Sequence, residues 1–139
     1  MATAAERTMP YIYPKGENFT PCTRGTRATP DMEHYLTSRD FESEGLTGGR
    51  VRVEERRVIN EKPTQTGWHI HKTELHIFYV LKGGLVIEFP GGTVNLTAGM
   101  CMRLPALLPH RETSIEPDTE MLEVTVPARF ETIHVPAPR

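Results

Sequence analysis

The 139-residue sequence has little of what marks several large function classes. It holds two cysteines, Cys22 and Cys101, far apart and outside any C-x-x-C pair. That excludes a disulfide scaffold and leaves both as structural or tolerated thiols. No apolar run approaches the roughly 18 residues needed to span a bilayer. Neither charge is in excess: 16 Lys and Arg stand against 18 Asp and Glu, interspersed along the chain. There is therefore no basic footprint for nucleic acid or an anionic membrane, and a small neutral or anionic organic partner fits better. The first residues, Met1 to Arg7, lack a basic region followed by an apolar one, so no secretory signal is read and a cytoplasmic location is expected by default. Internal repeats, low-complexity tracts, a phosphate-binding glycine loop and a nucleophile elbow are all missing. Thr93 and the serines have no histidine and acid at a recognisable spacing, which leaves nucleophilic hydrolysis unsupported.

What is present is glycine and proline as punctuation. The length allows one domain with a substantial core. Gly83-Gly84, Pro90-Gly91-Gly92 and Thr97-Ala98-Gly99 separate the short runs Leu85 to Phe89, Thr93 to Leu96 and Met100 to Leu104. A last run, Glu120 to Val126, is closed by Pro127. Strands of about five residues between such turns predict an all-β antiparallel barrel or sandwich. Upstream, Arg50 to Ile59 alternates charge and valine, then slips register at Glu54-Glu55, which predicts a strand with a bulge.

Three domain segments follow. Residues 1–47 are an N-terminal arm and irregular segment packed on the barrel, 48–127 the barrel, and 128–139 a tail or edge strand at Phe130 to Val135. Prolines at 10, 14, 21 and 30 exclude a regular helix from the arm, whose Tyr11, Tyr13 and Phe19 need a surface to cover. Residues 31–47 are ambiguous between a short helix after an Asp31 cap and an irregular strand. His34 and His134, without spaced partners, read as structural or surface residues.

Four histidines carry the chemistry. His69 and His71 are separated by one residue, so on a strand they leave the same face and reach one centre. His76 enters the following strand with Phe78 and Val80 on its face, and a tight reversal would fold it back over the pair. Further on, prolines 105 and 109 stiffen the approach to His110. Neutral imidazole is the commonest protein metal ligand, and four suit one divalent transition metal: Fe, Ni, Cu, Zn or Mn.

At these residues the chain resembles the cupin superfamily. The first motif of that superfamily reads G-x5-H-x-H-x3 or x4-E-x6-G, and the second G-x5-P-x-G-x2-H-x3-N. His69, His71 and Gly83 match the first, with His76 in the glutamate position and Pro63 in that of the opening glycine. Gly99, Pro105 and His110 match the second, with Leu107 in place of glycine and Ser114 of asparagine. Over roughly residues 50 to 127 the resemblance implies a small single-domain cupin, a double-stranded β-helix or jelly-roll barrel, with a four-histidine variant of the metal site. It also implies a homodimer with exchanged arms. Glu74 is an alternative ligand, but it follows His71 too closely for the family spacing. A histidine in place of a carboxylate leaves the site one unit more positive. Hydroxide, an anionic substrate or an outer carboxylate would balance that charge.

Four-histidine cupins include aromatic polyketide cyclases, beside oxygen-using cupins with three histidines. The resemblance thus implies a small enolic, diketone or aromatic (catechol- or polyketide-like) substrate. Two chemistries stay open. One is oxygenation, in a dioxygenase-like site; the other is Lewis-acid cyclisation, isomerisation or lyase chemistry. A base would come from Glu123 or Glu88, and alternation leaves open which face of the last strand is the inside. Trp68, Phe78, Tyr79 and Met102 are the expected pocket walls, and Arg103 the fork for an anionic substrate group. The competing class is a non-enzymatic cupin that binds a small molecule or metal for sensing or storage.

Overall fold

Glycine turns and β-branched runs give strands at nearly every place the sequence suggests. The computed structural model describes residues 12–13, 19–21, 36–59 and 66–139. The expectations for Tyr11, Cys22, the Asp31 cap, His34 and Pro63 lie outside the described residues. The strands are β1 (Thr20–Pro21), β2 (Leu36–Asp40), β3 (Arg52–Val58), β4 (His69–His71), β5 (Leu75–Lys82) and β6 (Gly84–Phe89). They continue with β7 (Gly92–Thr97), β8 (Cys101–Arg103), β9 (Arg111–Ile115), β10 (Glu120–Val126) and β11 (Thr132–His134). One helical turn, α1 (Ser43–Leu46), precedes β3. The fold is all-β, and no helix among the described residues is long and apolar enough to cross a membrane.

A six-stranded sheet runs in the order β1-β2-β3-β10-β5-β8, and a three-stranded one β7-β6-β9. The third sheet pairs β11 with β4, and a backbone bridge between His69 and His110 joins it to the chain entering β9. All pairings are antiparallel. Residues 36–40, within the segment read as irregular, and 132–134, within the expected tail or edge strand, thus supply a strand each to the sheets. Tyr13 donates its hydroxyl to the Phe41 carbonyl at 2.7 Å. The Phe19 ring lies under the Arg57 guanidinium, 4.1 Å from its centroid.

Two sequence expectations are corrected. β4 and β5 do not form a hairpin: β4 pairs with β11 and β5 with β10 and β8, so the polar break at residues 72–74 carries the chain from one sheet to another. Nor does β3 bulge at Glu54-Glu55, because its register with both β2 and β10 is continuous. The apparent slip has another cause. The inward positions of β3 are Glu54, Arg56 and Val58, all buried, whereas Val53 is only half-buried on the opposite face. Valine outside and charge inside inverts the usual alternation without displacing the ladder.

Antiparallel partners share a face, so the registers read out the interior in rows. Arg56, Met121 and Val80 form one, then Glu54, Glu123, Phe78 and Met102, then Arg52, Thr125 and His76. The interior therefore grades from apolar to polar along β5 and β10. At its apolar end Leu36, Val58, Val80, Leu85, Ile87, Leu96 and Ile115 form one buried cluster. Gly83 closes that end at φ +74, where an added Cβ would stand 2.5 Å from the Thr119 hydroxyl oxygen. Only glycine accepts both the angle and the approach.

Candidate metal centre

Two histidine-bearing stretches are fastened to each other by their backbones. The His69 amide donates to the His110 carbonyl at 2.9 Å, and the His110 amide to the His69 carbonyl at 3.1 Å. Leu107 donates to the His71 carbonyl at 3.0 Å and Leu104 to that of His76 at 2.8 Å. Proline has no N–H to give, so with Pro105 and Pro109 in this loop the amides of 104, 107 and 110 make the connections. Leu107 takes φ +61 to do so, with its side chain exposed. A left-handed leucine costs about 1–2 kcal/mol, part of which glycine returns as unfolded-state entropy. Leu107→Gly is accordingly expected to raise stability by about 1 kcal/mol or slightly less, read from the urea midpoint at unchanged slope. An unchanged or lower midpoint would show that the loop is not under this strain.

One nitrogen each of His69, His71 and His110 lies within 4.8 Å of the other two, in a group suited to hold a metal ion. The other ring nitrogens explain the orientation. Nδ1 of His69 is 2.7 Å from the Gly67 carbonyl and Nδ1 of His110 is 2.9 Å from the Leu108 carbonyl. A carbonyl only accepts, so both Nδ1 atoms carry hydrogen, and in the neutral ring Nε2 is then the nitrogen with the lone pair. Nδ1 of His71 is 2.9 Å from the Thr132 hydroxyl. Such outer partners fix imidazoles for ligation. His110 Nε2 is buried with no hydrogen-bond partner, as a ligand atom awaiting an ion would be. The residues present therefore fit a divalent transition metal.

His76 comes to the same place without joining the group of three. Its ring lies 5.3 Å from that of His71, and its Nε2 is 2.6 Å from Glu123 Oε1. The Glu123 carboxylate only accepts, so Nε2 bears the hydrogen, while Nδ1 is buried without a partner. Behind Glu123, Arg56 donates from Nη1 to Oε2 at 2.7 Å. Arg56 in turn stands 4.0 Å from Glu54. Glu123 thus faces inward, which settles the face that alternation alone left open.

The other expected site residues divide by face. Phe78 is buried with its ring 5.9 Å from that of His76, and half-buried Met102 shares its face. Trp68 lies instead against the Arg111 guanidinium, 5.3 Å from its ring, and Glu88 is ion-paired to that same arginine. Tyr79 and Arg103 are exposed on the outer face, where Arg103 pairs with Ile77 rather than with Phe78. Glu74 is exposed. His134 is exposed too, yet its ring is only 6.4 Å from that of His69.

Sequence reasoning missed Phe130 and Glu112. Phe130 is buried with its ring 5.2 Å from His71 and 5.8 Å from His76, so the C-terminal segment walls the site. Its place as the one Phe, Tyr or Trp among residues 128–139 was its signal. Glu112 holds a carboxylate oxygen 3.8 Å from His69 Nε2. Only its place two residues after His110 hinted at that.

Burial pushes the His71 pKa down to about 2, helped by the neighbouring His76, His110 and His69. Burial also lowers that of His110, against an opposing pull from Glu112. Both rings are neutral at pH 7 and ready to ligate. In the unfolded chain they titrate near 6.5, so the unfolded state takes up protons that the fold refuses. The metal-free protein is expected to keep full stability above pH 6.5. As pH falls below that value His71 should cost it about 1.4 kcal/mol per pH unit, with His110 adding to the loss in the same direction. Urea midpoints from pH 7.5 to 5 measure this, and a flat profile would contradict it.

Residues 56–126, just over half of the chain, match the cupin domain family. No curated protein matches the sequence. Among solved structures the chain is similar to the polyketide cyclase RemF from Streptomyces resistomycificus. The identity is 20% and the TM-score 0.67, over 94% of this chain and 88% of that one. KdgF from Halomonas sp. is similar at 18% identity and TM-score 0.55, over 68% and 82% of the two chains. The salicylate 1,2-dioxygenase from Pseudaminobacter salicylatoxidans is similar at 18% identity and TM-score 0.56, over 78% of this chain and 31% of that one. The chain therefore spans about a third of that dioxygenase, and at these identities the likeness is one of fold. With the domain match reaching across both histidine-bearing stretches and the barrel between them, the chain belongs to the cupin domain family.

Proposed function

We propose that this protein is a metalloenzyme that enolises a small diketone or polyketide-like carbonyl substrate, leading to cyclisation, isomerisation or lyase chemistry. His69, His71 and His110 would hold one divalent ion: Fe, Ni, Cu, Zn or Mn. Such an ion supplies Lewis acidity to a substrate carbonyl. Removal of the neighbouring proton falls to this chain's own residues. His76 presents Nδ1 as the accepting atom. Glu123 holds the ring through Nε2 and stabilises the imidazolium that forms, and Arg56 holds Glu123. Phe78, Phe130 and Met102 supply apolar walls that exclude water from an aromatic ligand.

The observation that carries this reading is the buried His76–Glu123 pair, its second nitrogen unpartnered, beside three imidazoles turned to one centre. The likeness to a polyketide cyclase along nearly the whole chain supports the substrate class. The test is turnover of diketones, catechols and polyketide-like phenols by metal-loaded protein, with and without oxygen. Turnover that persists anaerobically and falls about 100-fold or more in His76→Asn is the expected result. Turnover that requires oxygen would assign oxygenation instead, and tight binding without turnover a ligand-binding cupin.

A further inference from the structure

A divalent ion among three neutral imidazoles places two positive charges where His69 and His110 are almost wholly buried. Buried charge needs an opposite charge beside it. The described carboxylates near the histidines are few, and three are already spoken for or remote. Glu123 is neutralised by Arg56 at 2.7 Å. Glu131 is exposed and paired with Lys72 at 3.3 Å, and Glu74 is exposed in the turn before β5.

Glu112 is different. Its Oε2 stands 3.8 Å from His69 Nε2, the nitrogen that carries the lone pair, and no cation pairs with it among the described residues. It is also held in place. The Thr66 hydroxyl donates to that same oxygen, the Glu112 amide donates to the Thr66 hydroxyl at 2.9 Å, and the Thr66 amide to the Glu112 carbonyl at 2.9 Å. Thr66 is itself buried. Three hydrogen bonds between two residues fix a carboxylate that would otherwise sample several rotamers.

We propose that Glu112 is the carboxylate of the metal centre, the negative charge set against the ion, with Thr66 as its positioning residue. The inference rests on the reading that His69, His71 and His110 hold a metal. It is tested by titrating metal-free protein with Zn(II) in competition with a chromophoric chelator, and by the absorption spectrum of the Co(II) form. Glu112→Gln keeps the shape and the backbone bonds to Thr66. It is expected to weaken Zn(II) binding tenfold or more and to alter the Co(II) bands, at an unchanged Tm of the metal-free protein. Glu112→Asp, which keeps the charge, and Thr66→Val should both fall between wild type and Glu112→Gln. Wild-type Zn(II) affinity in Glu112→Gln overturns the role of Glu112 alone. Failure of the wild-type protein to bind Zn(II), or binding indifferent to His110→Ala, overturns the metal reading and this inference together.

Discussion

His110→Ala is expected to leave a folded barrel that no longer retains a metal and no longer turns over substrate. The imidazole is almost fully buried, its Nδ1–H is taken by the Leu108 carbonyl and its Nε2 has no protein partner. Truncation removes one of three converging nitrogens. Loss of an outer partner of a ligand typically costs 10- to 100-fold in metal affinity, so loss of a ligand itself is expected to exceed about 100-fold. The backbone fastening survives, because the His69–His110 bridge uses amides and carbonyls. Folding is then checked by circular dichroism, metal by elemental analysis after dialysis. His134→Ala, at an exposed ring outside the group of three, serves as control and should keep both metal and turnover. Metal retained in His110→Ala at the wild-type level would remove this residue from the site.

The second large effect concerns stability. Arg56→Met is expected to destabilise the protein by about 3–5 kcal/mol, since it leaves Glu123 and Glu54 as buried carboxylates deprived of that guanidinium. For a chain of this size that corresponds to a fall in Tm on the order of 10 °C. Methionine fills much of the volume, so the loss reports charge more than cavity. Adding Glu123→Gln to Arg56→Met removes one buried charge that has lost its arginine and should recover part of the loss, a coupling that a double-mutant cycle measures. An Arg56→Met protein as stable as wild type would mean that the inner charges are hydrated and that Glu123 is not held as described.

Much of this arrangement was legible in the residues. The H-x-H pair and His110 could be placed near one another because strand period and proline stiffening are local properties, and the resemblance supplied the topology that brings them together. The turns around Gly83 and Gly99 were legible for the same reason, both having positive φ. What could not be read was the inside of the sheet. β3 and β10 carry apolar residues on both faces, and the buried one bears Glu54, Arg56 and Glu123, so alternation gives no sign. The same ambiguity places Tyr79 and Arg103 near the site when their strand parity puts them outside, and Trp68, just before β4, lies against Arg111 instead. His76 was expected as a fourth nitrogen. Its bond to Glu123 depends on a partner 47 residues away across β5 and β10, which no spacing within either segment encodes. Phe130 and Thr132 reach the histidines only because β11 pairs with β4, a contact spanning some 60 positions of chain.

The account stands on three converging imidazoles, two buried and one half-buried, as the ligands of one ion. Elemental analysis of protein purified without a histidine tag, dialysed and then offered Mn, Fe, Ni, Cu and Zn in turn, tests that most directly. One tightly held ion per chain, released as pH falls and the imidazoles take up protons, is the predicted result. A protein that neither retains nor takes up any of these metals would contradict it.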